Sequence, residues 1–153
     1  MTILDVLAGD VLVGISAPRL TRGLSDGRPR LGWWEHLTVH GEIPQVMLNG
    51  TVDLLNWAEG VDLRGRGGAH FPFARKARAV RTARGAAVVV GNGSESEPAS
   101  HKDALLMRAC PHLVLDGLQL AANAVGARTI RIVVSDPAAA ESIAAAIKER
   151  RQA

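Results

Sequence analysis

One glycine-rich stretch of the 153-residue chain combines residue types that can hold a phosphate group. It covers residues 63–69, LRGRGGA, and three of its glycines fall within four positions: Gly65, Gly67 and Gly68. Glycine permits positive φ and lets backbone N–H groups approach an anion closely. Positive charge comes from three nearby side chains: Arg64, Arg66 and Lys76. The stretch is a candidate phosphate cradle, although its glycines alone are equally consistent with a flexible surface turn.

This glycine stretch matches neither of the common nucleotide-binding motifs. A Walker A loop requires G-x-x-x-x-G-K-[ST], which the chain lacks. Gly65 and Gly67 fit the first half of the dinucleotide fingerprint, but His70 occupies the position of its third glycine. An RNA-binding RGG segment is the weakest interpretation, because the chain carries a single unit inside a globular sequence.

A second candidate segment is acidic and follows a short apolar run. The run AAVVV at 86–90 is typical of a buried parallel strand, and GNGSESEP at 91–98 comes directly after it. Ligands of open α/β sheets bind outside the carboxyl ends of strands. Asn92 can donate to and accept from a heterocycle, and Glu95 and Glu97 can accept hydrogen bonds from ribose hydroxyls. The alternative is a solvated turn before a helix, with Ser100 as its N-cap.

The remaining pattern predicts helices and strands in alternation. Apolar spacing, prolines, glycines and capping residues predict helices at 51–59, 73–84, 102–110 and 111–125, a strand at 129–135 and a last helix that begins at Asp136-Pro137. Gly126 is expected to end the fourth helix in the left-handed conformation. Helices alternating with apolar strands indicate an α/β fold with a parallel sheet and a right-handed crossover. We expect a partly helical N-terminal segment, 1–59, and a domain spanning 60–153.

Composition narrows the functional classes. The net charge of +3 is too small to indicate a nucleic-acid-binding protein. Cys110 is the single cysteine, so the chain cannot supply a four-cysteine iron–sulfur site. The N-terminus lacks a basic signal-peptide region, and no run of about 18 apolar residues occurs. A cytoplasmic protein without a membrane span is therefore expected.

Several other side chains are candidates for chemistry by their type. His36 and His40 are spaced for one helical face, but without an HExxH arrangement a solvated or packed pair is favoured over a zinc site. Cys110 lies in an apolar stretch and is expected to be a small core residue. Trp33 and Trp34 are adjacent, and one of them is expected to pack against the sheet; the alternative is that they form a surface for a partner.

Taken in order, these motifs resemble the flavin- and NADH-binding subunit of respiratory complex I and its soluble relatives. The family's first motif is LRGRGGAGFP-x-G-x-K, and residues 63–76 match it apart from His70 and Ala74. Its second motif is N-A-D-E-x-E-P-G-x-x-K-D, which agrees at six positions: Asn92, Glu95, Glu97, Pro98, Lys102 and Asp103. A third motif, P-H-x-x-x-x-G, is met by Pro111, His112 and Gly117. The acidic loop is most similar to that of standalone soluble members.

The resemblance implies a Rossmann-like FMN-binding fold with the glycine-rich loop before the first core strand. It implies an FMN site formed by Gly65, Arg66, Gly67, Gly68, Lys76, Asn92, Ser94 and Glu95. Phe71, Glu95 and Glu97 would contact NADH, with Glu97 helping to position it. FMN would perform the hydride chemistry, so no catalytic acid or base is expected. Ser94 replaces an aspartate of the family motif.

The resemblance also implies that this chain corresponds to only the front part of the family's length. The rest of the flavin domain and the four-cysteine cluster domain of the family have no counterpart here, so we expect a fragment, a truncated product or one half of a split protein. Electrons would pass to an iron–sulfur cluster in that missing region or in a ferredoxin-like partner, and a second chain could complete the domain. The alternative is a non-catalytic remnant or interaction module that binds no flavin.

Overall fold

The computed structural model describes residues 19–25, 27–50, 53–66, 68–95 and 99–153. After a short 3-10 turn at Arg19–Thr21, these contain α1 (Trp33–His40), α2 (Gln45–Leu48), α3 (Leu54–Gly60), α4 (Phe73–Thr82), β1 (Val88–Gly93), α5 (Lys102–Ala109), α6 (Pro111–Val125), β2 (Thr129–Val134) and α7 (Pro137–Gln152). β1 and β2 pair in parallel, with Val88 opposite Thr129 and Gly93 opposite Val134. The expected α/β character and parallel pairing are confirmed.

The helices that follow β1 have the ends that their capping residues predict. α6 covers Pro111–Val125, and Gly126 ends it with a φ of +71°. α7 begins at Pro137, and the Asp136 carboxylate caps it by accepting a hydrogen bond from the Ala139 N–H at 2.7 Å.

Two helices that precede β1 differ slightly from their predicted bounds. α4 ends two residues earlier than expected, at Thr82. α3 begins at Leu54, because Asp53 accepts hydrogen bonds from the N–H groups of Leu55 and Asn56.

One face of the sheet carries the helices and the other is open in the described part of the chain. Leu118 packs against Gly91, Met107 packs against Gly93, and Ile132 lies with Met107 in a buried cluster. On the opposite face Val88, Val90 and Val133 are 48%, 54% and 50% exposed. The prediction that β1 is a buried strand is therefore wrong, because the described helices cover only the alternate side chains of this strand.

Residues before the glycine-rich loop contribute to the same cores as those after it. Leu55 of α3 is fully buried with Ala77 of α4 and Val125 of α6. Leu31 is buried with Ala109 and Cys110, so the prediction that Cys110 is a small core residue is confirmed. Each described helix is too short or too polar to cross a lipid bilayer.

Candidate functional site

The glycine-rich loop is a narrow excursion between α3 and α4. Its base is closed by three backbone hydrogen bonds: Leu63 N–H to the Ala58 carbonyl at 2.8 Å, Phe73 N–H to the Leu63 carbonyl at 2.8 Å, and Gly65 N–H to the Phe71 carbonyl at 3.0 Å. Arg64 and Pro72 face each other across this base as an antiparallel bridge. The Gly65 N–H is thus used inside the loop, and a ligand must be met by the residues at the loop tip.

Two residues of the loop are constrained, His70 by its backbone conformation and Arg64 by its hydrogen bonds. His70 has a φ of +48°, a left-handed conformation that costs an ordinary residue roughly 1–2 kcal/mol, which gives a physical reason for glycine at this place in the family motif. Arg64 donates from Nε to both carboxylate oxygens of Asp62, at 2.9 and 2.8 Å, and from its guanidinium to the His70 carbonyl at 3.3 Å. Arg64 therefore braces the loop, which leaves Arg66 as the loop arginine whose side chain makes no described hydrogen bond.

A cleft of about 580 Å³ lies between α4 and the start of β1. Its lining is Phe71, Arg75, Lys76, Ala79, Val80, Ala83, Arg84, Gly85, Ala86, Ala87 and Val88. The structure thus brings two predicted site residues, Phe71 and Lys76, into one concave surface with an apolar floor. Sequence reasoning did not assign Arg75 or Arg84 to the site. The sequence does contain a pattern that indicates them. Lys76, Ala79, Val80 and Ala83 recur at helical spacing on one side of α4, and Arg75 and Arg84 adjoin the two ends of that series.

Asn92 extends this surface to the carboxyl end of β1. Val88, Val90 and Asn92 alternate along the strand and share its open face. Asn92 lies about 13 Å from Val88, at about 3.3 Å per residue. Its Oδ1 accepts the Ser94 N–H at 3.1 Å, which turns the chain out of the strand and leaves the side-chain NH₂ group to donate to a ligand. Ser94 itself is exposed beside it.

Glu95 is directed away from this open face and towards the start of α5. Its carboxylate accepts the Ser100 hydroxyl at 2.5 Å and the Ala104 N–H at 3.4 Å, and lies 3.5 Å from Lys102 Nζ. The Ser100 hydrogen bond, together with backbone N–H groups of α5 and the Lys102 charge, lowers the pKa of Glu95 to about 2. The alternative interpretation placed Ser100 at the N-cap of this helix, but His101 holds that position and Ser100 donates to Glu95. Two predicted site residues, Gly67 and Glu97, lie outside the described residues.

A separate polar network connects α1 to α6 and α7. His36 and His112 are 1% and 0% exposed, and their Nε2 atoms lie 2.8 Å from the carboxylates of Asp116 and Glu149. Arg150 donates from Nε to His112 Nδ1 at 3.1 Å and also reaches Asp116 at 2.6 Å. An arginine can only donate, so His112 Nδ1 must accept the hydrogen bond from Arg150. The ring proton of His112 is therefore on Nε2, which donates a hydrogen bond to the Glu149 carboxylate. The network therefore requires a neutral His112.

This network decides between the alternatives for the histidines and tryptophans. The rings of His36 and His40 lie 5.3 Å apart inside the packed cluster, so the favoured packed pair is confirmed, and no three-ligand metal group occurs among the described residues. Trp33 stacks on His36 and lies under the Arg150 guanidinium, 4.9 Å away. Trp34 is exposed. The prediction that one tryptophan packs on the sheet is wrong, because the histidine cluster provides Trp33 with its partners.

Acidification is expected to destabilise the fold through His112 before the carboxylates titrate. Burial, aided by the Arg150 charge, lowers the pKa of His112 below 6.5, and burial likewise lowers that of His40. The unfolded chain therefore binds more protons than the folded chain as the pH falls below about 6.5, so the free energy of unfolding decreases. Urea unfolding between pH 7.5 and 5 measures this slope.

The matched variants for this measurement are His112→Gln and His101→Gln, since His101 is exposed. His112→Gln should flatten the dependence on pH, while His101→Gln should leave it as in the parent. A parent whose free energy of unfolding is constant from pH 7.5 to 5 would contradict this account of the network.

The family of this chain is identified by its similarity to known proteins. Residues 59–153 match the family model described as the Nuo51 FMN-binding domain. The chain belongs to this family. The match covers the glycine-rich loop, α4, both strands and the helices that pack on them.

Individual relatives agree with the family model, and each is an F subunit of NADH-quinone oxidoreductase. The chain is 33% identical to that of Aquifex aeolicus over 82 residues, which are 54% of this chain and 19% of the relative. It is 39% identical to the one numbered 2 in Rhizobium meliloti over 74 residues, 48% of this chain and 18% of the relative. That of Streptomyces coelicolor is 38% identical over 74 residues, 48% and 16% of the two chains. The matched part thus spans about a fifth of the relatives' length.

Proposed function

We propose that the chain forms the first part of an FMN-binding domain in an NADH-oxidising flavoprotein. The observation that carries this proposal is the single surface that runs from Phe71 and Lys76, across Val88 and Val90, to Asn92. Its apolar middle suits the flat face of a flavin ring, and its cationic end suits the flavin phosphate. Membership of the Nuo51 FMN-binding family supports this choice of ligand.

The residues of the surface fit the chemical parts of FMN. Lys76 and Arg66 would neutralise the phosphate, and the glycines Gly67 and Gly68 would let backbone N–H groups approach it. A cleft of about 580 Å³ lies within the size range of small-molecule and cofactor sites. Asn92 and Ser94 would bond polar edges of the ring at the strand end. When bound, FMN supplies the hydride acceptor, so the protein's task is to bind and align the two partners.

NADH would lie on the solvent-facing side of the same surface. Phe71 is 47% exposed and offers a ring for stacking against a base. Glu97 would help to position the nicotinamide, as the family resemblance implies. Glu95 would contribute indirectly, because its carboxylate is already bonded to Ser100 and α5. Electrons would pass to an iron–sulfur centre in another part of the protein or in a partner. A second chain could also complete the domain.

The proposal is tested by titrating the full chain with FMN and following flavin fluorescence. We expect saturable quenching, and Lys76→Ala should weaken the affinity about tenfold because one phosphate ion pair is lost. Arg81→Ala is the matched control, since Arg81 is a cation of the same helix that lies near Asp53, outside the cleft.

Quenching that is equally strong in Lys76→Ala would contradict the placement of the phosphate. No quenching of the parent at tens of micromolar FMN would contradict flavin binding by this chain and favour the alternative of a non-catalytic remnant.

A further inference from the structure

The open face of the sheet carries one charged side chain, which belongs to β2. Six residues of the two paired strands share this face, in three side-by-side pairs: Val88 with Thr129, Val90 with Arg131, and Asn92 with Val133. Successive side chains of a strand alternate between the two faces, and residues in register on neighbouring strands point to the same face. Val133 is 50% exposed, which agrees with this placement. Arg131 is therefore the single charged residue among the six.

Arg131 lies halfway along this face, beside the valines that form its apolar middle. Neighbouring strands are about 4.8 Å apart, so the backbone of Arg131 runs next to that of Val90. Val90 is 54% exposed. Arg131 is exposed too, and its guanidinium makes no hydrogen bond or ion pair within the described part of the chain. Its charge is thus available to a ligand that covers the valines.

A cation at this position affects a flavin because the ring gains negative charge when it is reduced. Hydride transfer breaks the C4–H bond of the nicotinamide, forms an N–H bond at flavin N5 and releases NAD⁺. The two electrons that enter the ring leave it with one negative charge, unless N1 takes a proton from water. Proteins tune a flavin through charges placed beside its ring. A guanidinium stays protonated throughout, so it attracts the reduced ring more strongly than the neutral oxidised ring.

The proposed function provides no other positive charge for the ring. It assigns Lys76 and Arg66 to the phosphate, while the side chains assigned to the ring edges, Asn92 and Ser94, are neutral. We propose that Arg131 is a further flavin-binding residue, whose guanidinium contacts the ring on the open face of the sheet and stabilises its reduced, negatively charged form.

This inference rests on the proposed function, because it takes the flavin ring to lie on the open face. It adds an expectation that contacts to the phosphate do not provide. The phosphate is the same in both forms of FMN, whereas the charge of the ring differs between them. A contact between Arg131 and the ring therefore makes the affinity of the chain depend on the oxidation state of the flavin.

The test is a titration of the full chain at pH 8 with oxidised FMN and, under anaerobic conditions, with FMN reduced by dithionite. Unbound flavin is separated by ultrafiltration and measured by its fluorescence after reoxidation in air. We expect reduced FMN to bind about tenfold more tightly, because an interaction between opposite charges is gained. Arg131→Gln should bring this ratio close to one, mainly by weakening the binding of reduced FMN. Arg131→Lys keeps the charge and should retain part of the ratio.

Arg128→Gln is the matched control for the loss of one positive charge. Arg128 is an exposed arginine just before β2, about 10 Å along the chain from Arg131 at about 3.3 Å per residue. It lies outside the paired strand, so its replacement should leave the ratio as in the parent. Circular dichroism of each variant confirms that it is folded.

The outcomes separate this inference from the proposed function. Equal affinities for the two forms of FMN would overturn the inference and leave the proposed function in place, since oxidised FMN would still bind. A preference that persists in Arg131→Gln, or that Arg128→Gln lowers as much, would overturn it as well, because the responsible charge would lie elsewhere or act at long range. Binding of neither form would overturn the proposed function, and this inference with it.

Discussion

Replacing Gly93 with valine is expected to lower the free energy of unfolding by about 3 kcal/mol. Gly93 is the last residue of β1, and a Cβ built there would collide with Met107 Sδ and lie 3.1 Å from the Val133 carbonyl oxygen. Met107 is 5% exposed and packed against Ala139 and Ile143, so it has little room to withdraw. The added side chain must therefore displace the buried Met107 side chain or shift α5 away from the sheet.

Gly117→Val is the matched control, because a Cβ at Gly117 meets no atom within 4 Å. Gly117 lies in the middle of α6, where valine is a better helix former than glycine, so no loss is expected. Urea unfolding of both variants measures the difference through the transition midpoint at unchanged m-value. A Gly93→Val chain as stable as the parent would mean that α5 does not pack on the end of β1 as described.

Replacing Gly68 with valine is expected to abolish FMN quenching at tens of micromolar FMN while the chain stays folded. Gly68 has a φ of +85° and open space around it, so the substitution changes the backbone of the loop without disturbing a core. A β-branched residue avoids this left-handed conformation at a cost of roughly 1–2 kcal/mol, and the loop tip should rearrange to relieve it. The backbone N–H groups proposed to meet the phosphate would then be misplaced.

Gly50→Val controls for the strain itself. Gly50 has a similar φ of +76° and equally open surroundings, but it lies before α3, away from the glycine-rich loop. We expect it to quench FMN fluorescence like the parent, in the same titration and at the same protein concentration. If Gly68→Val binds FMN as tightly as Gly50→Val, the glycine-rich loop is not the flavin site, and the proposed surface is wrong at its phosphate end.

Local features of the sequence were sufficient to predict much of the second half of the chain. α6 and α7 begin at prolines, Gly126 ends α6, and Asp136 caps α7, because each of these signals acts within a few residues of the helix end. The parallel pairing of β1 and β2 also followed from two apolar runs joined by helices. The proposed division at residues 59 and 60 stays a prediction.

The exposure of β1 shows where local pattern is insufficient. A run of consecutive valines predicts burial on both faces, but burial depends on what covers each face. Helices α5 and α6 cover the Gly91 and Gly93 side, while Val88 and Val90 remain open in the described residues. The same exposed valines form the middle of the proposed flavin surface.

Motif order in the sequence was enough to indicate the family of this protein and to supply candidate residues for its site, because binding loops are short and their residues adjoin one another in the chain. The tertiary structure alone decided which of those residues share a surface. Phe71 and Lys76 meet in one cleft with Arg84, whereas Glu95 bonds the start of α5. It also decided that His112 and Glu149, 37 positions apart, hold α1 in place with Trp33. Such partnerships depend on how helices pack, and no spacing along the chain encodes that packing.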